Sequence, residues 1–342
     1  MSSYFFRRFL WIIPTFLGIT LIVFAITRFV PGGPMEKVLM QGAQMGAEGG
    51  KSLRTDKNSG GAPLSEEQLA TVKAYYGFDK PWYAAYFSWL GKIVKFDLGQ
   101  STRYNEPVWD LICSKLPVSV YYGFMTMMIS YLVCIPLGIY KAVKHNSFFD
   151  NFSSVVVFIG YALPGYVIAV ILLVVFAANL EWFPLGGFVS DDFKEYTLVS
   201  QAIDIIEHSV LPLIAYVVGS FAVMTFMMKN SLMENLAADY VRTAMAKGVS
   251  FRRAVLGHAV RNSLIPMATH FGQNISIILT GSFLIEKIFN IDGLGLLGYE
   301  SLVERDYPVV MGTLVISSLL FLIGNIISDF CVALVDPRVQ FK

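Results

Sequence analysis

Residues 229–262 read KNSLMENLAADYVRTAMAKGVSFRRAVLGHAVRN and separate two apolar runs, each long enough to cross a bilayer. This is the only long polar segment with a strong positive excess in the C-terminal two-thirds of the chain. Its carboxylates are Glu234 and Asp239, and its cations are Lys229, Arg242, Lys247, Arg252, Arg253 and Arg261. A cationic loop between two spans is typical of the cytoplasmic side of a membrane protein.

The spacing of small and apolar residues within this loop predicts two short helices. One helical face would carry the i, i+3, i+4 and i+7 positions Val241, Ala244, Met245 and Gly248. Gly248 interrupts this helix, and Ser250 can cap a second helix that begins at Phe251. The pattern alone leaves two interpretations open: an ordinary interfacial connector, or an element that docks a partner at the membrane surface.

The segment DYVRTAMAKGVSFRRAVLGHAVRNSLIP, residues 239–266, resembles the coupling helix of bacterial ABC-importer permeases, in the form found in the dipeptide and oligopeptide group. Arg242-Thr243-Ala244 stands where the general family pattern has Glu-Ala-Ala, and Arg261 stands where it has proline. The resemblance implies that this loop sits in a groove of an ATPase subunit. The coupling residues it implies are Asp239, Tyr240, Arg242, Thr243, Ala244, Lys247, Gly248 and Ser250.

Composition independently indicates a membrane protein. Hydrophobic residues make up 55% of the chain, charged residues 15%, and the mean hydropathy is +0.58. The formal net charge of +1 gives no reason to expect a nucleic-acid partner. The three cysteines and four histidines are dispersed, so their spacing predicts neither a disulfide framework nor a metal site.

Apolar runs predict an all-α fold with six membrane spans and membrane lipid as the surrounding partner. The first span lies within residues 1–30, and the others cover about 118–140, 152–178, 208–228, 264–285 and 309–335. Pro164-Gly165 predicts a kink in the third span. The five-span core then occupies residues 117–342.

Residues 31–116 are mostly polar and predict a small helical segment outside the membrane. Residues 41–63 predict a loop, and a capping box at Ser65 predicts a helix that ends at Gly77. An aromatic helix follows Pro81, and a third short helix starts at Pro107.

The charges of the short loops predict the orientation. The N-terminus, residues 141–151, residues 229–262 and the C-terminal tail are basic, whereas residues 179–207 and 286–308 are acidic. Because basic loops remain in the cytoplasm, both termini are expected there. The resemblance to bacterial importers implies that the membrane is the bacterial inner membrane.

Further motifs extend the resemblance to the peptide-permease group over almost the whole chain, apart from residues 41–63. They are Tyr76-Gly-Phe-Asp-Lys-Pro81, Leu116-Pro-Val-Ser119, Ile135-Pro-Leu-Gly138, Gly293-Leu-Gly-Leu-Leu-Gly298 and Leu334-Val-Asp-Pro-Arg338. The long segment after the first span, with Gly160-Tyr-Ala-Leu-Pro164 and Arg305-Asp-Tyr-Pro308, is most similar to the Yej-type branch. The resemblance implies a peptide importer with a second permease subunit, a cytoplasmic ABC ATPase that binds ATP and magnesium, and a periplasmic substrate-binding protein. Nickel and glutathione are alternative substrates.

The sequence predicts no catalytic site and no cofactor site in this chain. It contains no G-x-x-x-x-G-K-[ST] loop, and the glycines from Gly293 to Gly298 lie between two spans, where they predict a tight turn. A stand-alone secondary transporter or channel remains the alternative. Such a carrier would depend on charges inside the membrane, and Asp329 is the clear carboxylate within an apolar run.

A polar stripe in the predicted fifth span is a candidate lining for a translocation pathway. Its members are His270, Gln273, Asn274 and Thr280. Polar groups in lipid must face protein or water, so hydrogen bonding between helices of one subunit is an equally good interpretation.

Overall fold

The computed structural model describes residues 2–29, 77, 80–271 and 282–335 of the 342-residue chain. The predicted loop at residues 41–63 and the predicted helix after Ser65 lie outside the described residues. Gln273, Asn274 and Thr280 also lie outside them.

The all-α prediction is confirmed for the described residues, which form a succession of helices. We number them α1 (Ser2–Phe29), α2 (Trp82–Val94), α3 (Val108–Val143), α4 (Phe148–Ala162), α5 (Gly165–Leu172), α6 (Leu198–Ala237), α7 (Asp239–Ala246), α8 (Phe251–Ala254), α9 (Phe283–Ile288), α10 (Leu294–Val303) and α11 (Tyr307–Val335). Helix α5 continues as a π-helix over Leu173–Asn179, and α8 continues through Val255–Ala259 into Val260–Ser263.

Four described helices are long and apolar enough to cross a membrane by themselves, namely α1, α3, α6 and α11. Helices α4 and α5 form a bent pair with an angle of 95° between them, and they raise the number of candidate spans to five. The bend falls at Leu163 and Pro164, so the predicted kink is confirmed. The total of six spans remains a prediction, because the described part of the predicted fifth span ends at Phe271.

The sequence prediction of a short helix after Pro107, separate from the second span, is wrong. Helix α3 runs without a break for 36 residues through Pro117. A proline removes one hydrogen bond from a helix interior, but an apolar helix in a membrane tolerates that loss, because other backbone conformations would expose more polar groups. Leu116 and Pro117, where the short helix was predicted to end, therefore lie inside α3.

Contacts divide the chain into two units. The first unit comprises Met1–Arg8, Val118–Leu296 and Leu320–Lys342. It contains two apolar clusters. One packs α3 and α6 against α7 and α8 around Met228, Leu232 and Val241, and the other packs α3, α5 and α6 against α9 around Tyr122, Ala215 and Phe289.

The second unit comprises Phe9–Pro117 and Leu297–Leu319. The predicted aromatic helix forms as α2 and packs on α1, with the Tyr86 and Trp89 rings 5.6 and 5.4 Å from the Phe24 ring. Thr20 and Tyr86 share a hydrogen bond of 3.1 Å between their hydroxyls. Two of the five aromatic side chains of α2 therefore hold the helix against the first span.

The loop before α3 is held by one buried carboxylate in the second unit. Asp306 accepts hydrogen bonds from the Ser101 hydroxyl and from the backbone N–H groups of Thr102 and Arg103. Arg103 also forms ion pairs with Glu300 and Glu304, at 2.9 and 2.8 Å. Backbone polar groups of this loop are thus satisfied partly by the Asp306 side chain and partly by the backbone hydrogen bonds of the bridge between Gln100 and Pro107.

Candidate functional site

The loop after α6 is shorter than the sequence predicted. Residues 229–237 are helical, because α6 continues to Ala237, and the turn to α7 occurs at Ala238, which has an extended conformation. Helix α7 begins at Asp239. The Asp239 carboxylate lies in the first turn, where its negative charge interacts favourably with the positive end of the helix dipole.

Gly248 ends α7 with the hydrogen bonds of a Schellman motif. Its N–H donates to the Met245 carbonyl at 2.9 Å, and the Val249 N–H donates to the Ala244 carbonyl at 3.1 Å. Its φ of +88° belongs to the left-handed region that glycine adopts without strain. The interruption that the sequence predicted is confirmed, and glycine is required there by the backbone.

Val241 anchors α7 to the first unit. Its side chain is 1% exposed and packs in the cluster that contains Leu232, Ala254 and Val255. Of the four residues predicted to share one helical face, Val241 is buried and Ala244 is half-buried, whereas Met245 and Gly248 are exposed. Only the C-terminal part of that face is therefore open to a partner.

The remaining surface of α7 is exposed. Asp239 and Arg242 have side chains that are 98% and 68% exposed, and their 3.9 Å ion pair is of the surface kind that contributes little to stability. The other predicted coupling residues with exposed side chains or backbone are Tyr240, Thr243, Lys247, Gly248 and Ser250. Ala244 is the one member that is half-buried.

Three apolar side chains that the sequence analysis did not assign to the site extend this surface. They are Met245, Phe251 and Leu256, and all are exposed. Arg252 and Arg253 are exposed beside them. We call the set formed by these five residues and the exposed coupling residues the outer surface of the loop. These coupling residues are Asp239, Tyr240, Arg242, Thr243, Lys247, Gly248 and Ser250. Helical spacing does not reveal this surface, because Met245 lies on the same helical face as the buried Val241.

Ser250 occupies the N-cap position of α8 but makes no capping hydrogen bond through its side chain. Its backbone carbonyl accepts from the Ala254 N–H at 2.9 Å. The predicted start of the second helix at Phe251 is confirmed, whereas side-chain capping by Ser250 is not present in the structure.

Lys229 does not belong to the exposed cations of the loop, contrary to the sequence analysis. Its ammonium group is buried in α6 and lies 2.8 Å from both carboxylate oxygens of Asp150 on α4. Lys141 on α3 reaches the same carboxylate at 3.2 Å and is 0% exposed. Its ammonium group also donates to the hydroxyls of Ser153 and Ser154 at 2.7 and 2.8 Å. These charged groups connect α3, α4 and α6 next to the base of the loop.

Of the predicted pathway stripe, the structure describes His270 alone, and its side chain is half-buried. Asp329, the carboxylate considered for a carrier mechanism, forms an ion pair of 2.9 Å with Arg8. This contact supports a packing role for Asp329.

The glycine-rich motif from Gly293 lies against the buried carboxylate of Glu286, a residue that the sequence did not single out. A Cβ atom on Gly293 would lie 2.7 Å from the Glu286 carboxyl carbon. Helix α10 starts directly afterwards, at Leu294. The prediction of a tight turn over Gly293–Gly298 is wrong beyond its first residue, because Leu294–Val303 is helical and contains the other glycines of the motif. Gly293 itself is explained by the close approach of the Glu286 side chain.

Gly293→Ala should destabilise the protein by roughly 1–3 kcal/mol, because the new methyl group overlaps the buried Glu286 carboxylate. Gly298→Ala is the matched control, since its Cβ would meet only Thr313 at an ordinary 3.6 Å. Thermal unfolding of both variants in the same detergent is the measurement. Equal stability of the two variants would contradict the packing around Glu286.

Comparisons with known proteins give the family. Residues 134–341 match the family described as binding-protein-dependent transport system inner membrane component. The peptidoglycan transport system permease protein YejB of Agrobacterium fabrum is 41% identical over 360 residues, covering 100% of this chain and 99% of that protein. The inner membrane ABC transporter permease protein YejB of Escherichia coli O157:H7 is 41% identical over 363 residues, covering 100% of both. The oligopeptide transport system permease protein AppB of Bacillus subtilis is 34% identical over 342 residues, again covering 100% of both.

These relatives are transport components, which agrees with the apolar helices of an integral membrane protein. The resemblance to peptide permeases that the sequence motifs carry is thereby confirmed. The chain belongs to the family of inner membrane components of binding-protein-dependent transport systems and is a permease component of the peptide ABC transporter type.

Proposed function

We propose that this chain forms half of a peptide translocation pathway and that the outer surface of the loop docks on a cytoplasmic ABC ATPase. The observation that carries the proposal is the asymmetry of α7. One side is fixed in the apolar core by Val241, and the other side presents cations and apolar side chains without cover from the described residues. An element anchored in this way transmits a displacement to the spans that hold it.

The contacts of α7 indicate how a displacement would reach the membrane helices. Val241 packs in one cluster with residues of α3 and α6, including Cys134, Met224 and Met228. Close-packed interiors move as blocks and do not deform smoothly. ATP-driven closure of the ATPase would therefore move α7 together with the cytoplasmic ends of α3 and α6, and would change the pathway from inward-open to outward-open.

The proposed assembly includes a second permease, an ATPase and a periplasmic substrate-binding protein. Both termini lie in the cytoplasm, and residues 31–116 lie on the periplasmic side. ATP and magnesium are bound by the ATPase, and the permease supplies the path. The polar stripe that contains His270 lines this path.

The experiment that tests the proposal is purification of the tagged chain from native membranes in mild detergent, followed by mass spectrometry and reconstitution in vesicles. We expect an ATPase and a second permease to co-elute, and peptide uptake to require ATP. If the chain elutes alone and moves solute without ATP, the secondary transporter is the correct class and the loop is a connector.

Reversing the charge of the outer surface should weaken ATPase binding. The double variant Arg242→Glu, Lys247→Glu should reduce co-purified ATPase at least tenfold, about 1.4 kcal/mol of binding free energy, because both side chains are exposed and would repel acidic groups on the partner. Lys194→Glu is the control, since this exposed lysine lies in the acidic segment before α6 that is predicted to be external. Undiminished co-purification at several salt concentrations would contradict the proposed contact.

A further inference from the structure

Glu286 carries a buried carboxylate in the segment between the predicted fifth and sixth spans. Glu286 as a whole is 2% exposed. One carboxylate oxygen, Oε2, accepts a hydrogen bond from the Leu296 N–H at 2.6 Å, and Oε1 accepts from the Tyr216 hydroxyl at 3.3 Å. The Tyr216 oxygen in turn accepts from the Ser282 N–H at 3.2 Å. The carboxylate thus joins α9, α6 and the first turn of α10.

The chain between α9 and α10 closes around this group. The Ile291 N–H donates to the Glu286 carbonyl at 2.8 Å, which returns the backbone towards α9. Gly293 then passes so close to the carboxylate that a side chain would not fit. We call residues 289–296 the external turn. Its conformation is built on the Glu286 side chain, and the turn cannot open without exposing that side chain to water.

Within the described residues, no cation lies at ion-pair distance from the Glu286 carboxylate. The titratable groups that interact with it are the hydroxyls of Tyr122 on α3 and Tyr216 on α6. Titratable groups with exposed side chains on the elements around it include Tyr166 on α5, Lys287 on α9, Asp292 in the external turn, and Glu181, Asp191 and Asp192 before α6. Asp204 and His208 on α6 are buried and lie 3.5 Å from each other. His208 is beside Gly187, whose N–H donates to the Phe289 carbonyl of the external turn at 2.8 Å.

Burial raises the pKa of Glu286 to about 7, although hydrogen bonds from the Leu296 N–H and the Tyr216 hydroxyl oppose the shift. An opened turn would expose the carboxyl to water and return the pKa to its ordinary value of about 4.3. The closed turn therefore binds the proton more tightly than the opened turn. By linkage, closure is favoured at acid pH, and this advantage is lost as the pH rises through about 7.

The backbone groups of Ser282 and Gly295 also hydrogen-bond the Glu286 carboxyl. The neutral carboxyl can keep its hydrogen bonds with Leu296 and Tyr216. Oε2 still accepts from the Leu296 N–H, while a protonated Oε1 donates to the Tyr216 oxygen and reverses the direction of that bond. Ionisation also leaves these hydrogen bonds possible, but it places a negative charge in a buried site where the described residues supply no cation, and this is costly.

We propose that Glu286 is a positioning residue whose protonation keeps the external turn closed, and that its ionisation releases the turn. The proposal gives the permease a pH-sensitive element on the periplasmic side. An effect on peptide uptake rests on the proposed function, whereas the movement of the turn itself does not.

The test is hydrogen–deuterium exchange of the purified complex between pH 6 and pH 8, corrected for the intrinsic exchange rates. In the wild-type protein, we expect protection of the amides in the external turn to fall several-fold, with a midpoint near pH 7. Glu286→Gln carries an amide that cannot ionise and can accept from Leu296 while donating to Tyr216. It should keep the turn protected over the whole range.

Constant protection in the wild-type protein would overturn the proposal, and so would an equal loss of protection in Glu286→Gln. If the glutamine variant does not fold, the wild-type profile still decides the outcome. Because exchange is measured without transport, these results are independent of whether the complex imports peptides. A pH dependence of uptake that disappears in Glu286→Gln would then link the turn to transport.

Discussion

Asp150→Asn should destabilise the protein by about 3–5 kcal/mol, because it leaves the ammonium groups of Lys141 and Lys229 buried together without a carboxylate. The asparagine has nearly the same shape, so the loss reports the missing charge and not a cavity. Equilibrium unfolding in mixed micelles, with the fraction of monodisperse protein, is the measurement. Asp239→Asn is the control, because it removes a carboxylate that is almost fully exposed, and it should change the free energy of unfolding by less than about 0.5 kcal/mol.

A double variant tests whether the stability lost in Asp150→Asn comes from the unbalanced charges or from a general disturbance of the packing. Asp150→Asn combined with Lys229→Met removes one charge of each sign and keeps the net charge of the cluster. Replacing an ion pair with apolar groups is often tolerated, so the double variant should recover part of the stability lost in Asp150→Asn. If the two substitutions are simply additive, the three charged groups do not act as one cluster.

Gly248→Trp should reduce ATP-driven transport at least tenfold and weaken ATPase binding, and Gly248→Ala should have a much smaller effect. Both substitutions place a Cβ atom in the left-handed region, which costs roughly 1–2 kcal/mol. Within the described structure, nothing lies within 4 Å of that Cβ position. The indole ring therefore adds no clash inside this chain, and any effect beyond that of alanine comes from a partner.

Transport and co-purified ATPase measured side by side for the two variants test this expectation. If alanine and tryptophan reduce both quantities equally, backbone strain explains the result and no partner approaches Gly248. If both variants remain at the wild-type level, α7 is not a docking element. The comparison is informative because both variants carry the same backbone strain at residue 248, whereas only tryptophan adds a large side chain.

Two parts of the site show how far sequence patterns reach. The break at Gly248 could be predicted, since a glycine after a helical pattern marks a C-terminal cap through its own backbone freedom. The exposure of Met245 could not, because helical spacing places it on the same face as Val241, and only tertiary packing decides that Val241 is buried and Met245 is not. The role of Lys229 was likewise hidden, since its partner Asp150 is 79 residues away in the chain.

The sequence by itself determined the class of this protein, its apolar spans, the kink at Pro164 and the family motifs. These properties depend on composition and on local backbone preferences, which neighbouring residues specify. Only the tertiary structure decided that Lys141, Asp150 and Lys229 share one buried site, and that Gly293 makes room for Glu286. Such contacts join residues from different helices, and the burial that determines their charge state exists only after those helices have packed.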